Sequence, residues 1–193
     1  MDSDTTDEIM TATGRALYEH GYANLTIQRI AEESSLSTAA IHYHFDTKEA
    51  LLNAYLDHLV GAFRARIDVD TDDPRDRLSA FLDAVFDPAG DDVGFAVALM
   101  NLKAQAPFSD AYHERFVELD DAIRTEVTEV VRDGVESGCF DDADPGRVAR
   151  HVVTVLNGAH VRELALGESP AESRAPLEAY LDGELDWRPE APA

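Results

Sequence analysis

Two lysines, one cysteine and the absence of any long apolar run set the first limits on this chain. The single Cys139 leaves no partner for an internal disulfide and excludes a cysteine-based zinc site. No stretch approaches the ~18 consecutive apolar residues that a spanning helix needs, so no membrane partner is expected. The opening residues, Met-Asp-Ser-Asp-Thr-Thr-Asp-Glu, have no apolar core of a signal peptide, which makes a cytoplasmic location the expectation. Base is scarce as well: 16 basic residues stand against 39 acidic ones, a formal charge of −23 at pH 7.

That charge argues at first sight against nucleic acid, whose partners normally carry a basic footprint. The imbalance has a particular form, however. Fourteen of the basic residues are Arg, only Lys48 and Lys103 are Lys, and Asp outnumbers Glu by 23 to 16. Acid is spread along the whole chain and not gathered in a tail. Such a pattern is similar to that of proteins from salt-loving organisms. In molar salt the Debye length is about 3 Å, so self-repulsion and repulsion from DNA are both screened. The acidity then describes the solvent and not the partner. With 193 residues and 45% apolar content, the chain has enough material for a core and is not a disordered acidic segment.

What is present is helical periodicity. Residues 8–20 repeat Ile9, Ala12, Thr13, Ala16 and Leu17 at threes and fours, with Gly21 as a stop. Thr26 caps a short helix carrying Ile27, Ile30 and Ala31, and Ser37 caps another over 38–44. From Asp46-Thr47 a long helix carries Leu51, Leu52, Tyr55, Leu59, Phe63 and Ile67. Residues 68–76 are an acidic linker leading into a helix with Pro74 at its first position, followed by a turn at 87–90. Helices are predicted over 93–105, 110–137, 145–166 and 171–182. The fold class is all-α.

The segment between Thr26 and Leu52 is the informative one. Two short helices joined by a tight turn make a helix-turn-helix, whose second helix is free to enter a major groove. Ala31 is small enough for the crossing, and Ile27, Ile30, Leu36, Ile41 and Phe45 anchor it. The face left outward carries Thr38, Ala39, His42 and Tyr43, with His44 at the helix end. Thr26 and Gln28 open the first helix and Lys48 opens the next, where each suits a phosphate. His42 and His44 are two apart on a helix, point away from each other and cannot share a metal.

The stretch Ala16-Leu17-Tyr18-Glu19-His20-Gly21-Tyr22-Ala23-Asn24-Leu25-Thr26-Ile27, then Ile30-Ala31-Glu32-Glu33, Leu36-Ser37 and Ile41-His42-Tyr43-His44-Phe45-Asp46-Thr47-Lys48-Glu49-Ala50-Leu51-Leu52, resembles the N-terminal domain of TetR/AcrR-type transcriptional regulators. Ser35 stands where that family usually has Gly, and His42 where Tyr is usual. The resemblance implies an N-terminal three-helix helix-turn-helix domain (1–48), a C-terminal helical ligand-binding and dimerisation domain (49–186) and a tail (187–193). It implies a homodimer through helices 110–137 and 145–166, most simply a repressor released from a double-stranded DNA operator by a small-molecule effector. DNA contact would fall on Thr26, Gln28, Thr38, Ala39, His42, Tyr43, His44 and Lys48. The alternative is a small-molecule sensor or interaction protein that has lost DNA binding.

The effector pocket has no transferable motif. Phe63, Phe81, Phe86, Phe95, Met100, Phe108, Tyr112 and Phe116 are candidates to line it, and Lys103 to meet an anionic ligand. Aromatics at helical spacing are equally well explained as simple core, and Lys103 as a surface residue. Asn157 and His160 interrupt an apolar face and fit a dimer interface or a ligand contact. No phosphate-binding loop, acid/base pair or nucleophile with supporting context is present, so neither an enzyme nor a cofactor or metal is expected.

Overall fold

A computed structural model of the chain describes residues 2–67, 71–86 and 93–187. Among these residues there are nine α-helices, one 3-10 turn and no strand. The turn expected at 87–90 and the first three residues of the acidic linker, 68–70, lie outside the described residues. The contacts divide the chain into two units, Met1–Ala62 with Asp91–Val117, and Phe63–Gly90 with Glu118–Ala193.

The first unit holds α1 (Asp2–Asn24), α2 (Ile27–Glu32), α3 (Thr38–His44), most of α4 (Lys48–Ile67), α6 (Val93–Lys103), the 3-10 turn (Ala106–Phe108) and the start of α7 (Asp110–Ser137). Its interior is built from Ile9, Leu17, Leu25, Ile30, Ile41, Leu51, Leu52 and Leu56, all essentially fully buried, joined by Leu102 of α6. Burying each such side chain is worth about 1.5–3 kcal/mol, so this interior outweighs the modest propensities of helices as short as α2 and α3. The caps anticipated from sequence form: Thr26 Oγ1 accepts from the Arg29 amide at 3.2 Å, and Ser37 Oγ from the Ala40 amide at 3.1 Å. Gly21 breaks α1 with φ 67° and ψ 166°, a left-handed conformation open to glycine, and so turns the chain toward α2.

The second unit holds α5 (Pro74–Phe86), the rest of α7, α8 (Pro145–Leu166) and α9 (Pro170–Leu185). Leu78, Phe81 and Leu82 of α5 pack in a core with Val130 and Val131 of α7, Val148 and Val152 of α8, and Leu177 and Leu181 of α9. Asp144 caps α8 through the Arg147 amide at 3.1 Å. The polar bracing is arginine-based. Arg77 holds both carboxylate oxygens of Glu126, at 2.8 and 3.0 Å, and reaches Asp133 at 3.3 Å. Arg75 donates to the carbonyls of Cys139 and Asp186 and lies over the Phe140 ring. Trp187, placed by sequence in a tail, is completely buried, and its indole N–H donates to the Arg75 carbonyl at 3.3 Å.

Candidate nucleic-acid interface

Helix α3 sorts its residues by face. Ile41 is fully buried, while Thr38, Ala39, His42 and Tyr43 are exposed, Tyr43 by 85%. A tyrosine so exposed contributes little to the unit's own core. The Tyr43 and His44 rings meet edge to face at 5.4 Å between centroids. His44 is half-buried at the helix end. The outward row thus offers a methyl and hydroxyl, a small apolar group, an imidazole and a phenol to any partner.

The residues flanking α3 are each engaged locally. Thr26 spends its hydroxyl oxygen as the α2 cap. Gln28 is exposed and donates to Glu32 at 3.1 Å. The Lys48 ammonium, half-buried, donates to the Leu25 carbonyl at 3.2 Å and stands 5.4 Å from the centre of the Tyr22 ring. Lys48 therefore also ties the start of α4 to the end of α1.

The turn between α2 and α3 runs over Glu33–Ser37. Ser35, in the position where the resemblance leads one to expect Gly, is not in the left-handed region; among the described non-glycine residues only Asp186 is. Its amide and its hydroxyl both donate to Glu8 Oε1, each at 2.7 Å. The two donors hold the Glu8 carboxyl below the ordinary carboxylate range, with Arg15 adding to the effect.

Arg29 and Tyr22 join this surface to the helices behind it, and sequence reading singled out neither for the role. Arg29 donates to the Asn24 carbonyl at 2.6 Å. The Tyr22 amide donates to Asn101 Oδ1 of α6 at 3.1 Å. The Tyr112 phenol of α7 is pushed well above its ordinary value, by burial first and then by the neighbouring Tyr22 phenol. Residue spacing carries no signal for Glu8–Ser35 or Tyr22–Asn101, because each pair is far apart in the chain.

The candidate effector residues fall into both units. In the second, Phe63, Phe81 and Phe86 are buried. In the first, Tyr112 is buried, Phe95, Met100 and Phe116 are half-buried, and the Lys103 ammonium lies 5.8 Å from the centre of the Phe116 ring. Phe108 stands 85% exposed on the 3-10 turn. Asn157 donates back to the Val153 carbonyl at 3.0 Å. Among the described residues no group of His, Cys, Asp and Glu is arranged to hold a metal, and no helix is long and apolar enough to cross a membrane.

Described residues without a strand, and an exposed row on the second helix of a helix-turn-helix, make the architecture of a DNA-binding regulator. Residues 9–55 match the family described as bacterial regulatory proteins, tetR family, and residues 74–186 match the C-terminal domain of BetI-type transcriptional repressors. The chain belongs to the TetR family of transcriptional regulators. A TetR transcription regulator from Haloarcula marismortui is 42% identical over 95% of this chain and 99% of its own, with a TM-score of 0.89. A putative transcriptional regulator from Saccharomonospora viridis, solved in complex with choline, shares the fold at 22% identity and a TM-score of 0.85 over 95% of this chain and 98% of its own. The HTH-type transcriptional regulator BetI of Stenotrophomonas maltophilia is 34% identical over 85 residues, 42% of this chain. That match covers 43% of the BetI chain, so less than half the length of such curated relatives is spanned.

Proposed function

We propose that this protein is a homodimeric repressor that binds a near-palindromic DNA operator through α3 and leaves it when a small molecule occupies the helical domain. The observation that carries the reading is the sorting of α3: Ile41 fully buried, Tyr43 85% exposed. In a two-fold dimer the paired α3 helices would enter successive major grooves about 34–36 Å apart. Thr38, Ala39, His42 and Tyr43 would meet base edges and sugar-phosphate, with Thr26, Gln28, His44 and Lys48 on the flanking backbone.

The division of labour proposed is DNA binding by residues 1–48 and effector binding and dimerisation by residues 49–186. Dimerisation would use α7 and α8. Of the two, α8 offers the more exposed apolar surface, with Val161 at 48% and Leu166 at 62%. The effector would be enclosed by some of Phe63, Phe81, Phe86, Phe95, Met100, Lys103, Phe108, Tyr112 and Phe116. It would act only through unequal affinity for the DNA-bound and released states. Tyr22 is the natural route for that difference, since its amide is bonded to Asn101 of α6 and its phenol neighbours Tyr112 of α7, while its ring faces Lys48.

The test is fluorescence anisotropy of a labelled duplex from the region upstream of the protein's own gene, in molar KCl, with random duplex as competitor. Preference for the upstream duplex, lost on addition of an effector, supports the repressor. Choline, which the Saccharomonospora viridis protein holds, is the first effector to add. A folded dimer with no preference between duplexes would sink the reading and leave a small-molecule sensor without DNA binding.

A further inference from the structure

We propose that operator binding is proton-linked, an inference that rests on α3 being the DNA-reading helix: His42 and His44 take up protons as they meet DNA and supply the positive charge that α3 otherwise lacks. Proteins that bind DNA neutralise phosphates chiefly with Lys and Arg. Helix α3, Thr-Ala-Ala-Ile-His-Tyr-His, contains neither. Over residues 25–50 the permanent cations are Arg29 and Lys48, against the carboxylates of Glu32, Glu33, Asp46 and Glu49. Both cations donate to backbone carbonyls, Arg29 to that of Asn24 and Lys48 to that of Leu25. The remaining source of positive charge is the pair of imidazoles, His42 on the outward row and His44 at the helix end.

Neither imidazole makes a hydrogen bond or an ion pair with a described residue. Tyr43, the other titratable group of α3, sets its ring edge-on to His44. The charged groups on the surrounding elements are engaged elsewhere or stand in solvent. On α1, Glu8 accepts from Ser35. On α2, Glu32 accepts from Gln28, and Glu33 closes the helix. Asp46 in the turn after α3 and Glu49 on α4 are exposed, so their pull on an imidazole is screened by solvent. Both rings therefore reach DNA without a carboxylate already bound to them.

An imidazole in water titrates near pH ~6.5. A phosphate within hydrogen-bond reach favours the charged form and raises that value in the complex. The sign follows. Below about 6.5 the ring is charged before and after binding, and the contact is at full strength; as pH rises through the bound value, the contact is lost. Each unit by which DNA raises the value is worth up to about tenfold in affinity per imidazole. Protonation also changes what His42 can read. The charged ring donates from both nitrogens, which suits guanine O6 and N7 as well as phosphate oxygens, whereas the neutral ring has one donor.

The experiment is the anisotropy titration of the labelled upstream duplex against random duplex, at fixed molar KCl, between about pH 6 and about pH 8. The unaltered protein is expected to bind at least about tenfold more tightly at the lower pH. The double variant His42→Gln with His44→Gln, which keeps polar side chains without the charge, should lose that dependence. His42→Arg with His44→Arg, charged at every pH, should bind with a flat profile. His113→Gln, exposed on α7, should keep the full dependence. Calorimetry of the unaltered protein in two buffers of different ionisation heat counts the protons taken up on binding without any variant. Preference for the upstream duplex with neither pH dependence nor proton uptake overturns the proposal and leaves the repressor reading standing. Full pH dependence in the Arg pair, or its loss in His113→Gln, also overturns the proposal. No preference for the upstream duplex at any pH sinks both.

Discussion

Glu8 on the first helix accepts two hydrogen bonds from Ser35, one from its amide and one from its hydroxyl, on the same carboxylate oxygen. A side chain 27 positions away thus does for the helix-turn-helix what a left-handed glycine would otherwise do: it fixes the path between α2 and α3. Since α3 carries the whole outward row, its aim depends on this pair.

Removing the Glu8 charge should loosen the turn. Glu8→Gln or Glu8→Ala is expected to speed amide exchange at Ser35 and to weaken operator binding, while Ser35→Ala, which keeps the amide bond, has the smaller effect. The sign with pH follows from the lowered Glu8 value. The contribution is fully present above the unfolded carboxylate pKa of about 4.3 and is lost as pH falls through the lower folded value. Acid titration of the unaltered protein should therefore show a loss of turn order that is missing in Glu8→Gln. Identical acid limbs would contradict this.

Tyr43→Ala and His42→Ala are expected to lower operator affinity by about 10- to 100-fold, the ~1–3 kcal/mol of a specific base contact. Neither should change thermal stability, because both side chains are exposed. Ile41→Ala is the converse: it removes a fully buried side chain and should cost about 2–5 kcal/mol of stability. Anisotropy and thermal melts on the same three variants separate the two faces of one helix.

In the second unit, Gly134 on α7 lies so close to Phe140 that an added Cβ would sit 2.0 Å from the ring. Gly134→Ala should destabilise by about 1–3 kcal/mol, the usual cost of overpacking. Phe140→Leu in the same chain should recover part of it. A double-mutant cycle by denaturant unfolding reads the coupling, and additive losses would mean that the ring moves aside freely.

Salt should act against the usual trend. DNA binding ordinarily weakens as salt rises, by release of counterions. With 39 acidic residues against 16 basic ones, repulsion from the DNA dominates at low salt and is screened at high salt. Operator affinity should pass through a maximum at high KCl. Monotonic weakening from low salt upward, with the protein folded throughout, would refute this.

Local chemistry made much of the fold readable. Helices at 110–137 and 145–166 form as the periodicity indicates, because Asp144 caps one and Gly138 follows the other. Thr26 and Ser37 cap as expected, since a cap needs only residues three apart. Gly21 interrupts the first helix where a stop was expected, but that helix starts earlier, at Asp2, and the last runs over Pro170–Leu185, where polar residues hide the apolar repeat. The outward row of α3 followed from its spacing, but the supports behind it, Glu8, Tyr22 and Asn101, did not. Their partners are set by the tertiary fold, and no periodicity encodes which distant side chains meet. The aromatic candidates show the same boundary. Spacing places Phe81 and Phe86 on an inner face, yet it cannot tell them from Phe108, which the fold leaves at the surface.

The burial of Trp187 has a practical consequence. It is the chain's only tryptophan, and it belongs to the second unit, as does Tyr180; the other five tyrosines, at 18, 22, 43, 55 and 112, belong to the first. The protein is thereby divided optically. Indole emission follows the melting of one half, and phenol absorbance is weighted toward the other, so the order in which the two halves come apart can be read without attaching a label.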